Sequence, residues 1–228
     1  MLFRSYLDDW RYCGTRSLIF TGDLFGADMN YHKIPFEYDP LDFDAYQRRA
    51  PRLRAVVTNV QTGEAEYPLI RDLRRDLTWV RASASLPLIS RLVRIDGGKY
   101  LDGGIADSIP LRQAMDDGFR KNVVVLTQAA GYRKKPNKAM PLIKLRYARY
   151  PRFIDDARHR HERYNEALSL VDMQERAGRA FVIRPDAPPE IGRVEKDPER
   201  LRALYREGRR VAEREFSRLE AFLSGEQK

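Results

Sequence analysis

Cysteine is nearly absent. Cys13 is the only one in 228 residues, which excludes an internal disulfide framework and any thiolate metal cluster. Histidine is almost as scarce. His159 and His161 lie two apart, a spacing that on a helix turns them to different faces and away from a shared ion. No apolar run approaches the roughly 18–20 residues that a spanning helix needs. Arg4, Asp8, Asp9 and Arg11 interrupt the start, where a signal peptide would require an unbroken apolar stretch. The glycine pairs at 97–98 and 103–104 lack the Lys-Ser/Thr and the glycine spacing of a phosphate loop. Helix-turn-helix and RNA-binding aromatic signatures are not found. These absences make a soluble, cytoplasmic protein the default expectation, and no metal or organic cofactor is implied.

What is there describes a globular chain. Hydrophobic residues make up 43% and charged residues 33%, enough for a sizeable core. Lys plus Arg at 42 against Asp plus Glu at 33 leaves a net charge of +9. Such a balance is compatible with nucleic acid, an anionic membrane surface or acidic substrates. Over most of the chain, however, basic residues interleave with acids, as in Arg206, Glu207, Arg209, Arg210, Glu213, Arg214, Glu215 and Arg218. That pattern reads as solvated helix faces, and a basic nucleic-acid-binding protein is kept only as the weakest alternative. The densest uncompensated run is Arg133-Lys134-Lys135, followed by Lys138, Lys144 and Arg146.

The first forty residues, punctuated by Gly14, Gly22, Gly26, Pro35 and Pro40, read as loops. Asp42 to Arg49 is a candidate short helix. Leu53 to Asn59 and Glu66 to Ile70, joined through Thr62-Gly63, read as a β-hairpin. Arg71 to Ser83 has helical spacing, with Asp72 in the first turn. Two short strands, Leu92 to Ile95 and Lys99 to Leu101, flank a tight turn at Asp96-Gly97-Gly98. A compact helix is predicted over Pro110 to Asp117, capped by Asp107 or Ser108 and ended by Gly118. The Val-Val-Val-Leu run within Asn122 to Thr127 reads as a strand buried on both faces. A long helix from about 151 to 177, a strand over Ala180 to Arg184, a Pro-rich loop and an amphipathic helix over about 199–223 complete the chain. Strands interleaved with helices predict the α/β class.

The informative stretch is Ala82 to Gly118, where Asp-Gly-Gly occurs twice in quick succession. Asp96-Gly97-Gly98 lies between two alternating runs and is explained as a hairpin turn. Asp102-Gly103-Gly104 has no returning strand after it, only a Pro-started helix. Its glycines permit a sharp turn and a close backbone approach, with the carboxylate left at a strand end where α/β sites lie.

This block, with the preceding Ala82-Ser83-Ala84-Ser85-Leu86-Pro87, resembles the C-terminal catalytic part of the patatin-like phospholipase family. The likeness extends through Gly22-Asp23-Leu24-Phe25-Gly26 and Val56-Val57-Thr58-Asn59 with Thr62-Gly63. It continues in Gly131-Tyr132-Arg133-Lys134-Lys135-Pro136 and Phe181-Val182-Ile183-Arg184-Pro185, so that it covers nearly the whole chain. The resemblance implies a three-layer α/β/α fold with a mostly parallel central sheet. It also implies acyl-ester hydrolysis by a Ser–Asp dyad on a lipid, phospholipid or lysophospholipid substrate, and it places the dyad aspartate at Asp102. Gly103, Gly104 and Asp107 would then shape the loop, Asp107 as a loop holder or helix cap. Ser83, Ser85 and Pro87 would line a pocket wall, while Arg133, Lys134 and Lys135 would meet anionic head groups at a peripheral membrane contact.

The chain departs from that family at the nucleophile. None of its nine serines (Ser5, Ser17, Ser83, Ser85, Ser90, Ser108, Ser169, Ser217 and Ser224) has glycines two before and two after, as a nucleophile elbow requires. A glycine-rich oxyanion loop is missing as well. The expectation is therefore a single, incomplete patatin-like domain over 1–228, the C-terminal portion of a longer protein, lacking the family's N-terminal strands. It would retain the aspartate without the serine. The competing reading is a non-catalytic module of the same fold that binds anionic lipid or a protein partner.

Overall fold

The computed structural model describes residues 9–192, 195 and 197–225. Residues 1–8, with Ser5, and three positions of the Pro-rich stretch lie outside the described residues. The fold belongs to the α/β class. The residues group into two compact units, the first comprising residues up to 108 together with 135–163, the second 109–134 together with 164 onward.

Among the described residues of the first unit, helices occupy much of the stretch up to 38 that reads as loops. Helix α1 (Thr15–Thr21) is followed by a π-helical segment, Met29–Tyr38, which carries Pro35 inside it. The glycines that read as loop markers instead bound α1: Gly14 precedes it, and Gly22 ends it in the left-handed conformation at φ 78°. Helix α2 (Phe43–Arg49) is capped by Asp42, whose side chain accepts from the Ala45 amide at 2.7 Å.

Strands β1 (Leu53–Arg54), β2 (Val57–Asn59), β3 (Ala65–Glu66) and β4 (Leu69–Ile70) form the expected hairpin, with β2 on β3 and β1 on β4. Helix α3 (Leu73–Ser83) follows, with Asp72 as its N-cap. Strands β5 (Val93–Ile95) and β6 (Gly98–Asp102) then complete a four-stranded sheet in the order β3-β2-β6-β5, every pair antiparallel.

Alternation along β6 sends successive side chains to opposite faces, and each face meets a different helix layer. Tyr100 packs with Val57, Val93 and Ala82, and with the Trp79 ring of α3 in an edge contact at 4.9 Å. Leu101 packs with Val60 and Ile105, and with Ile143, Tyr147, Phe153 and Ala157. These last come from α5 (Met140–Arg146), the residues after it, and the start of α6 (Pro151–Arg176). Val57, Leu101 and Phe153 are fully buried, each worth about 1.5–3 kcal/mol of transfer free energy.

In the second unit β7 (Asn122–Val125) and β8 (Ala180–Ile183) pair in parallel, the one parallel pair among the described strands. The expectation of a mostly parallel sheet is met at this pair alone: in the first unit β2–β3 and β5–β6 are hairpins, which can only be antiparallel, and β6 also returns antiparallel to β2. Leu111 of α4 (Leu111–Asp116), Leu126, Leu168 and Val171 form the core of this unit. The valine run is not buried on both faces. Val123 and Val125 are exposed, and only the alternate positions turn inward.

Helix α7 (Pro198–Ser224) is capped by Asp197 and closed by Gly225 at φ 84°. Its basic residues are largely spoken for. Arg210 and Arg214 clasp Asp186 at 2.7 and 2.8 Å, holding its carboxyl well below the usual carboxylate range, and Arg209 reaches Glu213 at 2.8 Å. The alternating charges thus behave as a solvated, self-paired face. Among the described residues no helix is long and apolar enough to cross a membrane.

Candidate active site

The two Asp-Gly-Gly copies have different backbones. In the first, β5 and β6 pair through Ile95↔Gly98, so Asp96 and Gly97 are the two loop residues, at φ 48° and 81°. A two-residue hairpin with left-handed conformation at both positions explains that copy fully. In the second, neither glycine has a left-handed φ. Gly103 is glycine because the chain runs against a neighbouring strand: an added Cβ would lie 2.0 Å from the Val56 carbonyl oxygen. Close approach, not turn conformation, selects the residue here.

Asp102 is the last residue of β6, opposite Val57. Its amide donates to the Ser85 carbonyl at 2.8 Å, and its carbonyl accepts from the Thr58 hydroxyl at 2.8 Å. The same Thr58 oxygen, fully buried, accepts from the Ala106 amide at 3.2 Å, so one side chain ties the strand end to the loop beyond it. Within the loop the Asp107 amide donates to the Gly103 carbonyl at 2.8 Å. Carboxylate oxygen Oδ1 of Asp102 accepts from the Gly104 amide at 2.7 Å, and Oδ2 carries no hydrogen bond among the described residues. Burial raises the proton affinity of this carboxyl, opposed by the Gly104 amide and the nearby charge of Arg160. A fixed carboxylate with one open oxygen and a raised pKa is equipped to accept a proton.

Two side chains beside Asp102, Tyr31 and Arg160, and a third beside Tyr31, Asp23, were given no role by the sequence reading. The Tyr31 hydroxyl is raised by burial, and the charges of Asp102 and Asp23 push it the same way against Arg81. Asp23, buried in the Gly-Asp-Leu-Phe-Gly segment, accepts from the Arg91 amide at 2.8 Å and lies 3.6 Å from Arg81. Arg160 donates to the Gly104 carbonyl. The only sequence signal for any of them was the aspartate between glycines at 22–26.

Of the other predicted residues, Asp107 accepts from the Tyr67 hydroxyl at 2.7 Å and so holds the loop. It does not cap α4, and neither does Ser108, whose hydroxyl turns back to the Gly104 carbonyl at 2.6 Å; Pro110 occupies the cap position without a side-chain bond. Ser83 ends α3. Ser85 is buried, its hydroxyl donating to the Arg81 carbonyl at 2.7 Å, and its contribution to Asp102 is made by its backbone. Pro87 lies in the turn that follows.

Arg133 and Lys134 fall in the second unit, Lys135 in the first. The Lys134 ammonium sits 4.1 Å from the Tyr164 ring centroid and its amide donates to Asn165 at 2.8 Å, while Lys135 is exposed. His159 and His161 turn to the backbone carbonyls of Asp155 and Arg158, and no metal-binding group of three occurs among the described residues.

One buried acid titrates outside the ordinary range. Asp156 is pushed up to about 7 by burial and by neighbouring Asp155, against the charges of Arg163 and His159. Its Oδ2 is buried without a partner, while Oδ1 meets Arg163 at 2.5 Å. Because the folded pKa exceeds the unfolded value of about 3.9, the native state favours the protonated form. The stability this group contributes is full below about pH 3.9 and lost as pH rises through about 7. Thermal unfolding should therefore show a pH-dependent fall between pH 4 and 7 that flattens in Asp156→Asn; an equally steep fall in the variant would assign it elsewhere.

Residues 4–115 match the family model described as Patatin-like phospholipase, and residues 150–224 match one described as Domain of unknown function (DUF6363). No curated protein matches the chain. The first match contains β1 to β6, the Asp102 loop and all but the last residue of α4; the second begins just before α6.

Proposed function

We propose that the chain, which resembles the patatin-like phospholipase family over residues 4–115, supplies the acid–base half of a Ser–Asp lipid acyl hydrolase, with Asp102 as the general base. The observation that carries this reading is the Asp102 carboxylate: anchored by Oδ1 to the Gly104 amide, open at Oδ2, and raised in proton affinity by burial. Asp102 accepts the proton of a serine presented by a Gly-X-Ser-X-Gly elbow, which the 228 residues do not themselves contain. The serine oxygen then attacks the ester carbonyl and the proton passes to the leaving alcohol. Water, activated by the same carboxylate, releases the acyl group. No histidine is needed, in keeping with three in the sequence.

The reading makes a prediction for the chain as it stands. Serine-esterase turnover on a dye ester should not exceed background, since a general base acts only by taking the proton of a positioned nucleophile, and the chain offers neither an elbow serine nor oxyanion donors. Burst kinetics with an acyl group on any of the nine serines would overturn it.

A second reading, a non-catalytic module that binds anionic lipid, is favoured by the basic run Arg133-Lys134-Lys135, in which Arg133 and Lys135 are exposed. Each basic residue at an anionic surface contributes about 1 kcal/mol. Co-sedimentation with phosphatidylserine vesicles should weaken when all three become glutamine, and unchanged binding would remove the head-group role.

A further inference from the structure

The loop that carries Asp102 is held from outside the region matched to the patatin-like family. Three consecutive carbonyls, those of Gly104, Ile105 and Ala106, all accept from arginines of α6. Arg160 donates through Nε to Gly104, and Arg163 donates to Ile105 at 3.3 Å and Ala106 at 3.2 Å. The two arginines are three residues apart and so share one helix face. Arg163 is in turn fixed by Asp156, through its carboxylate and its backbone carbonyl, both at 2.5 Å.

We propose that Arg160 and Arg163 are positioning residues that clamp the Asp102–Gly103–Gly104 turn, and that this is the task of the first turns of the region matched as a domain of unknown function. The proposal rests on the reading of Asp102 as the base.

The chemistry favours a guanidinium in both places. The turn after β6 leaves its carbonyls without strand partners, and buried carbonyls must be paired: that of Gly104 is shared by Arg160 and the Ser108 hydroxyl, and those of Ile105 and Ala106 accept from Arg163. A guanidinium presents its donors in a rigid planar fork, so Arg163 reaches Ala106 through Nε and both Ile105 and Asp156 through Nη2, which a lysine cannot do in fixed geometry. Arg160 adds a second effect. Its Nη2 lies 3.4 Å from where a Cβ on Gly104 would stand, and its charge favours the ionised form of Asp102. A base must be ionised before it can accept a proton, and burial alone works against that. Arg160 offsets the burial while leaving Oδ1 to the Gly104 amide, so one side chain sets both the shape of the loop and the charge state of its carboxylate.

The test is made on the full 228-residue chain, with aspartate carboxyls followed by carbon-13 NMR and loop amides by hydrogen exchange. In Arg160→Gln, with the fold checked by circular dichroism, the titration midpoint of Asp102 should rise. The amides of Ile105 and Asp107 should exchange about tenfold faster or more, as expected for loss of a charge-assisted bond. Arg160→Lys should return the midpoint toward wild type while exchange stays fast, because the charge is restored and the fork is not. An unmoved Asp102 midpoint in folded Arg160→Gln would overturn the proposal.

A measurement on the wild type needs no variant. The loop amides at Ile105 and Asp107 should open together with residues 156–163 of α6, with the same opening free energy. Loop amides that exchange while that part of α6 stays protected would overturn the clamp. These outcomes are independent of catalysis. A moved midpoint, together with ester turnover that survives Asp102→Asn in the chain joined to a Gly-X-Ser-X-Gly segment, would sink the base assignment and leave the clamp standing.

Discussion

Asp102→Asn, introduced into the chain joined to a strand–Gly-X-Ser-X-Gly–helix segment, is expected to lower ester turnover by about 10²–10⁴-fold with little change in melting temperature. Asparagine keeps the size of the side chain and can still accept from the Gly104 amide through its carbonyl oxygen, so the loop survives. What it loses is the oxygen able to take a proton. Asp96→Asn is the internal control, because it changes the same tripeptide in the other copy. Asp96 is at φ 48°, a conformation asparagine tolerates well, so activity and stability should stay near wild type. Equal losses at both positions would mean general damage to the β5–β6 hairpin.

Gly103→Ala should be the most damaging single methyl in this part of the protein. The new Cβ would meet the carbonyl oxygen, carbonyl carbon and Cβ of Val56 at 2.0, 2.3 and 2.8 Å. Two of those atoms are backbone, so no rotamer change relieves the contact; β2 and β6 must move apart just where Thr58 and Asp102 are bonded. Overpacking of this kind costs about 1–3 kcal/mol or more, which at this chain length lowers the melting temperature by roughly 2–12 °C. At Gly97 an added Cβ would meet nothing within 4 Å, and only the left-handed φ of 81° opposes alanine. Gly97→Ala should therefore cost about 1 kcal/mol. Calorimetry on both variants checks the contrast, and a Gly103→Ala protein as stable as Gly97→Ala would contradict the close approach.

The distinction between the two Asp-Gly-Gly copies was legible in the sequence because it depends on local context. One copy has alternating residues on both sides, and the other leads into a Pro-started helix. Helices α2, α3 and α7 were legible for the same reason, each opening on an aspartate, Asp42, Asp72 or Asp197, that caps it, whereas α1 and α5, which begin without a side-chain cap, were not. The partners of a strand were not. Val123 to Val125 has the composition of a doubly buried strand, yet its exposure is set by which elements cover it, and that depends on residues far away in the chain. The glycines at 14 and 22 were misread because a glycine marks a helix end as readily as a loop. Arg160 was invisible on other grounds. The run Arg158-His159-Arg160-His161-Glu162-Arg163 reads as a solvated face, and only the tertiary approach of α6 to Gly104 turns two of its arginines into loop contacts.

The central claim, that Asp102 activates a serine, is tested most directly by covalent labelling of that serine. The chain joined to the Gly-X-Ser-X-Gly segment is incubated with a fluorophosphonate, and modification of the elbow serine is followed by mass spectrometry. With Asp102 in place the serine should be labelled, and with Asp102→Asn labelling should slow by about 10²-fold or more at the same fold stability. Labelling at an unchanged rate in Asp102→Asn would contradict the account.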